Sequence, residues 1–244
     1  DIAASLQTAF KEIIIKKLKQ LNDIYKNDNL CIAGGCAFNS SLNGKIIANS
    51  KFKNIYISPN AGDAGGSIGA ALIVAKENNE DLKFNESPYL GTYYDNSYVE
   101  KIIIKQIKNI NHIKYRFEAD FKKLTEDVAI KISNSGVIGW FQDRMEWGPR
   151  ALGNRSILGD PRNPNMRNII NIKIKRREEF RPFAPSVLDI KAKEYFKIIN
   201  TSPYMCFVYD VDEKNKHKIP AVIHVDNTSR VQTVSKKTNE KYYT

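Results

Sequence analysis

The sequence predicts an α/β protein built in two parts, and three observations carry that reading. Ile2, Leu6, Phe10, Ile13, Ile14, Leu18 and Leu21 recur at helical spacing, which marks one long amphipathic helix. Two short apolar segments then each end in glycines and are followed by a helical pattern. After a polar stretch, a second series of apolar segments alternates with helical ones.

Taken in order, the N-terminal helix is expected to cover a sheet. Leu30 to Ala33 reads as a strand closed by Gly34-Gly35, with a helix from about Ala37. Asn54 to Ser58 reads as a second strand, Pro59 to Gly66 as a glycine-rich turn, and Ser67 onward as a helix. Between Glu80 and Asn96 the chain turns polar, with Pro88, Gly91 and Asp95-Asn96, which places the domain boundary there. Phe121 to Ser133 is a helix feeding the strand Val137 to Phe141. Ala184 to Leu188, Met205 to Val211, Ala221 to Val225 and Val231 to Val234 read as strands, with a helix near Ile190 to Lys197. No repeat or low-complexity tract interrupts the pattern.

Composition narrows the function classes. The 244 residues are 42% hydrophobic and 10% aromatic, enough for a packed core and against a disordered chain. No apolar run approaches the roughly 20 residues of a membrane span, so a soluble, cytoplasmic protein without a membrane partner is expected. Cys31, Cys36 and Cys206 form no CxxC pair, which fits a reducing compartment better than a zinc site or a disulfide framework. The formal net charge of +11 points to an anionic partner, and the position of the charge says which kind. Lysines are spread along the chain, but no arginine precedes Arg116 and eight of the ten lie between Arg144 and Arg181. Lysine suffices for solubility, whereas the planar arginine fork suits bidentate binding of phosphate or carboxylate.

Four stretches carry chemistry. In IAGGCAFN, Gly34 and Gly35 let a ligand approach the backbone and Asn39 offers an amide, although a tight turn with Asn39 capping a helix explains the same residues. Asp63 lies where a strand ends before a helix, a position that serves a helix cap, a metal or a proton acceptor, and spacing leaves these open. GWFQDRMEWGPRALGNRSILGDPR gathers Arg144, Arg150, Arg155 and Arg162 with Asp143, Glu146 and Asp160, and NIKIKRREEFRPFAPSVL adds Lys175, Arg176, Arg177 and Arg181. Each acid can neutralise one arginine, yet cations outnumber acids, and the surplus predicts a polyanion such as a nucleotide or an acyl phosphate. AVIHVDNTSRVQTV places His224 and Asp226 on a strand ahead of Thr228 and Arg230, with a buried core histidine as the plainer reading. His112 and His217 lie in lysine-rich surroundings, so no histidine metal pair is formed.

Together these stretches, with DIAASLQ, GGCAFNSSLNGKI, SPNAGDAGGSIGAAL, SPYM and HVDNTSRVQTV, resemble the O-carbamoyltransferases of antibiotic and nodulation-factor biosynthesis. The resemblance runs through nearly the whole chain in family order. It implies that residues 1–88 are the C-terminal half of an actin-like (ribonuclease-H-like) carbamoyl-transfer domain. Residues 89–98 are then a linker, and 99–244 most of a mixed α/β twisted-sheet domain resembling threonylcarbamoyl-adenylate synthases. The implied chemistry is ATP-dependent, using carbamoyl phosphate, ATP, a hydroxyl-bearing small-molecule or sugar acceptor, and a divalent metal, iron or magnesium. Residue by residue, it implies that Arg150, Lys175, Arg181 and Arg230 act in catalysis. Arg144, Arg155, Arg177, His224, Thr228, Gly34, Gly35 and Asn39 would bind substrate or nucleotide, and Asp63 the metal. The family's metal-binding HxxxH helix and its LNTSFN segment are not in this sequence.

Two other readings stand beside it. Hydrogenase maturation uses the same two domain types to carbamoylate a cysteine, but that family adds an acylphosphatase domain and CxxC zinc fingers not found here. A non-enzymatic nucleic-acid binder would also use the +11 charge, yet recognised RNA motifs with paired aromatics are missing and no specific nucleic acid is expected.

Overall fold

The computed structural model describes residues 1–81, 86–107, 110 and 112–244. It is mixed α/β, and its described strands pair two by two in four small sheets. The polar junction expected between Glu80 and Asn96 lies partly outside the described residues.

Helix α1 (Ile2–Tyr25) runs the length its periodicity implies and ends where Lys26 turns left-handed. Its contacts with the core begin at Phe10. Leu18, with Phe10, Ile14 and Ile15, packs on Leu42, Ile46 and Phe52 and on the strand residues Leu30, Ile32 and Ile55, while Ile2, Leu6 and Ile13 are exposed. Burying a side chain such as Ile46 fully contributes roughly 1.5–3 kcal/mol. Strand β1 (Asn29–Ile32) and β2 (Asn54–Ile57) pair in parallel around α2 (Ser40–Asn49), a right-sized crossover. Helix α3 (Gly66–Glu77) follows the glycine turn, and α4 spans Asn96–Ile107.

In the second part, α5 (Phe121–Ser133) is capped by Asp120, whose carboxylate accepts the amides of Lys122 and Lys123. It leads into β3 (Ile138–Phe141), antiparallel to β4 (Arg155–Leu158). A short α6 (Met166–Asn168) continues as a π-helical segment, Ile169–Lys175. Strand β5 (Ser186–Leu188) pairs in parallel with β8 (Gln232–Val234), and β6 (Val208–Asp210) pairs antiparallel with β7 (Thr228–Arg230). The helix expected near Ile190 is the four-residue α7 (Ala192–Tyr195), and α8 (Glu240–Tyr243) ends the chain.

One expected strand is absent. Pro220–Val222 form a 3-10 turn, and His224 and Asp226 lie in the turn after it rather than on a strand. Pro220 lacks the amide a ladder needs. Ala221 and Val222 are apolar because they are buried, not because they are extended.

The two parts share one core. Ala37, Ile57 and Ala61 from the first pack with Phe196, Cys206, Tyr209, Val222 and Val231 from the second. Gly44 lets α2 close on β6: a Cβ there would lie 1.9 Å from the Val208 carbonyl oxygen. Asn43, on the same helix, donates to the carbonyls of Ala37 at 2.7 Å and Cys206 at 2.9 Å.

Candidate anion site

The loop between β3 and β4 carries Arg150, and its shape is fixed from within. The Glu146 carboxylate accepts the backbone amides of Leu152, Asn154 and Arg155 at 2.5, 3.0 and 3.4 Å. It is therefore committed to the backbone and forms no ion pair with an arginine among the described residues. Asn154 donates to the Arg144 carbonyl, and its own side-chain oxygen accepts from Gln142 and Asn239. Gly153 has φ +110 and lies against the Tyr242 ring, where a Cβ would come within 2.4 Å.

The second arginine group hangs on Asn171, which is fully buried in the π-helical segment. Its side-chain oxygen accepts from Arg177 Nε at 2.8 Å, and its amide donates to the carbonyls of Glu179 and Arg181 at 3.2 and 2.9 Å. Its own carbonyl accepts the Arg177 amide at 3.0 Å. Arg176 turns left-handed at φ 48, which ends the segment and reverses the chain. The Arg177 guanidinium then lies 5.0 Å from the centre of the Phe183 ring. Rare π-helical turns concentrate at functional sites, and here one presents Lys175 on its last residue.

These two loops and β7 bring Arg150, Arg177 and Arg230 into one electrostatic neighbourhood. Burial first, then the charge of Arg150 and, more weakly, that of Arg177 together bring Arg230 down from 12.5 to about 10, against the opposing effect of Cys206. Burial also lowers Arg150. The Nε atoms of Arg150 and Arg230 are buried without a hydrogen-bond partner. Three cations held together and partly stripped of water cost stability unless an anion joins them. Cys206 is not that anion: burial raises its thiol to about 11 against the opposing pull of Arg150 and Arg230.

The acids expected to neutralise the arginines divide unevenly. Asp160 binds Arg162 through Nε and a terminal nitrogen, and Glu178 pairs with Arg181 Nε at 2.8 Å. Asp143 instead pairs with Lys241 at 2.6 Å. Among the described residues, Arg144, Arg150, Arg155, Arg177 and Arg230 have no ion-pair partner. Arg144 is exposed and donates to the Gly91 carbonyl, and Arg155 is exposed on β4 beside the Met145 sulfur. Lys175 and Arg181 are also exposed.

Around β7, Asp226 accepts from the Thr228 hydroxyl at 2.6 Å and from the Thr228 amide at 3.2 Å. His224 Nδ1 lies 3.1 Å from the same hydroxyl oxygen. Its Nε2 is buried without a partner. The ring lines a cavity of about 600 Å³ with Arg167, Glu213, Lys216 and His217, and Arg167 Nε is likewise unpartnered.

In the first part, the two glycine turns meet: the Gly34 amide donates to the Ala61 carbonyl at 2.7 Å. Gly34 has φ +94, and at both Gly34 and Gly35 a Cβ would meet open space, so the backbone is accessible to a ligand. Asn39 caps α2 by accepting the Leu42 amide and exchanges hydrogen bonds with Gln7. A ligand using that amide would displace Gln7. Asp63 is exposed, and among the described residues no group of three or more His, Cys, Asp or Glu gathers as a metal site. One carboxylate does not fill the coordination shell of iron or magnesium, so this chain's own donors do not fit the metal without others.

Sequence reasoning passed over Asn171, Arg167 and the structural role of Glu146. The NxxxxxR spacing from Asn171 to Arg177 was the only signal for the first, and it is too common to read alone.

The chain matches the family model described as the carbamoyltransferase N-terminus over residues 1–72 and the one described as the carbamoyltransferase C-terminus over residues 129–244. It is 39% identical to Nodulation protein NolO of Bradyrhizobium diazoefficiens over 248 residues, covering 100% of this chain and 44% of that protein. It is 41% identical to an uncharacterized protein of Synechocystis sp. over 269 residues, with 100% of this chain and 43% of the relative covered. An uncharacterized protein of Methanocaldococcus jannaschii is 37% identical over 246 residues, 100% of this chain and 40% of its own length. The chain thus spans less than half the length of these relatives.

Proposed function

Because the chain belongs to the carbamoyltransferase family, we propose that it is the part of an ATP-dependent O-carbamoyltransferase that forms carbamoyl-adenylate. The observation that supports this reading most is the convergence of Arg150, Arg177 and Arg230, partly desolvated and without acidic partners. A triphosphate and an acyl phosphate bring the negative charge this trio lacks.

In the proposed reaction, water cleaves carbamoyl phosphate to carbamate and inorganic phosphate. A carbamate oxygen then bonds to the α-phosphorus of ATP, the bond to the bridging oxygen breaks, and pyrophosphate leaves. The arginines hold the anions and offset charge on the pentavalent phosphorus, a role that counts most where water is excluded. Lys175 and Arg181, exposed at the end of the π segment and beyond it, approach the phosphates from solvent. An acceptor hydroxyl then attacks the carbonyl carbon of the adenylate and AMP leaves. Gly34 and Gly35 give the adenylate backbone access in the first part. Asp63 would be one donor among several to a divalent metal, which would supply Lewis-acid chemistry when bound.

The test is pyrophosphate release from ATP in the full-length protein, with and without carbamoyl phosphate. Release dependent on carbamoyl phosphate and diminished at least 100-fold by Arg150→Ala is expected, on the order of one lost charged contact in a desolvated site. No release, or release undiminished in Arg150→Ala and Lys175→Ala, overturns the reading.

A further inference from the structure

Among the described residues the Arg150 side chain has no tether of its own. Its Nε is buried without a partner, and no acid pairs with its guanidinium. Backbone anchors at the two ends of its loop therefore fix where that group lies. One anchor is internal: Glu146 holds the amides of Leu152 and Asn154. The other is the Trp147 peptide, whose amide donates to the Pro88 carbonyl at 3.0 Å and whose carbonyl accepts from Asn60 Nδ2 at 3.3 Å.

Asn60 comes from outside that loop. It belongs to the glycine turn of the first part and is only 5% exposed. A Cβ on Gly65 would lie 2.0 Å from the Asn60 carbonyl oxygen, and one on Gly148 would lie 2.6 Å from the Pro59 carbonyl oxygen. The turn is thus closed on itself and meets the Arg150 loop backbone to backbone. Between Trp147 and Arg150 stand Gly148 and Pro149, and the proline ring fixes its own φ, so a shift of the Trp147 carbonyl is passed on toward Arg150. The next residue of the turn, Ala61, accepts the Gly34 amide at 2.7 Å. Three consecutive residues, Pro59 to Ala61, therefore touch both the Arg150 loop and the Gly34 turn.

We propose that Asn60 is a positioning residue for the anion site: from the first part of the chain it fixes the Trp147 peptide, and thereby the Arg150 guanidinium beside Arg177 and Arg230. This rests on the reading of the arginine trio given above and deepens it, because a residue of the first part that touches no ligand completes a site of the second. Misplacing a group by about 1 Å is enough to cost about 100-fold in rate, so one hydrogen bond from a neighbouring turn bears on the site.

The experiment is equilibrium binding of inorganic tripolyphosphate to the full-length protein by calorimetry, in wild type, Asn60→Ala, Arg150→Ala and the double variant. Arg150→Ala is expected to weaken binding about 10- to 100-fold, the range for one hydrogen bond to a charged group, and Asn60→Ala about 10-fold. In the Arg150→Ala background, Asn60→Ala changes the affinity less than about 2-fold, because a residue that acts through another has no separate effect once that other is gone. Asn60→Ser, which keeps a shorter donor, recovers part of the wild-type affinity. Equal weakening in both backgrounds makes Asn60 a general structural residue and overturns the inference, as does unchanged binding in Asn60→Ala. Should Asn60→Ala fail to fold, Asn60→Leu, close in size and without a donor, decides in the same way. Wild type that does not bind, or binding that Arg150→Ala leaves unchanged, overturns the reading of the trio itself, whereas Arg150-dependent binding without coupling to Asn60 overturns this inference alone.

Discussion

Asn171 Oδ1 accepts the Nε–H of Arg177 at 2.8 Å from a fully buried position, and the same side chain holds the carbonyls of Glu179 and Arg181. One uncharged residue thus sets the course of the loop that carries the second arginine group. Asn171→Ala leaves Arg177 Nε and the carbonyls of Glu179 and Arg181 without this partner, at about 1–3 kcal/mol for each that water does not reach. Thermal unfolding should show a loss of at least about 2 kcal/mol, with a raised KM for ATP in pyrophosphate release. An unchanged melting temperature contradicts this role.

Glu146 is expected to matter for shape rather than charge. Glu146→Ala frees the amides of Leu152, Asn154 and Arg155 and loosens the Arg150 loop. A destabilisation of about 1–3 kcal/mol is expected, and Glu146→Gln, which keeps an acceptor, should recover much of it in chemical denaturation.

Arg181 separates binding from stability. Its pairing with Glu178 is exposed, and such pairs contribute about 0–1 kcal/mol. Arg181→Ala should therefore unfold close to wild type while pyrophosphate release falls. A large loss of stability with unchanged release would assign it a structural role instead.

Gly44 measures how the two parts depend on one another. A Cβ at this position meets the Val208 carbonyl oxygen at 1.9 Å, backbone against backbone, which no side-chain rotation relieves. Gly44→Ala should cost about 3 kcal/mol or more, at the upper end of overpacking, and a single unfolding transition should shift as a whole. Unchanged unfolding of the second part would contradict the shared core.

The pH dependence follows from His224, whose folded pKa lies below the ordinary 6.5. The unfolded chain binds this proton more readily, so the group's contribution is present above about pH 6.5 and is lost as pH falls from there through the folded pKa. Asp226, held below 3.8 by Thr228 despite the opposing effect of burial, acts in a separate window at lower pH. Melting temperatures from pH 7.5 to 5 should fall less steeply in His224→Gln than in wild type.

Periodicity and glycine placement made much of this legible in advance. The helices α1 and α5 and the strands β1, β2 and β3 lie within a few residues of where apolar spacing put them. The failure at Ala221 and Val222 arose because burial selects apolar residues in 3-10 turns as well as in strands. In the π-helical segment, Ile170, Ile172 and Ile174 alternate with a strand's period, so local pattern does not distinguish the two forms. The arginine surplus was visible from composition. Which arginines converge was not, because Arg150, Arg177 and Arg230 are joined by loop geometry that Glu146 and Asn171 impose through backbone contacts. Spacing likewise left Asn39 undecided between ligand and cap, and its bonds to Leu42 and Gln7 depend on α1 lying beside α2.

The central claim is that the arginine trio is an anion site, and a crystal structure of the full-length protein with a nonhydrolysable ATP analogue and carbamoyl phosphate tests it most directly. Phosphate density bridging Arg150, Arg177 and Arg230 is the expected result. Nucleotide bound elsewhere, with these three side chains unoccupied at saturating ligand, would contradict it.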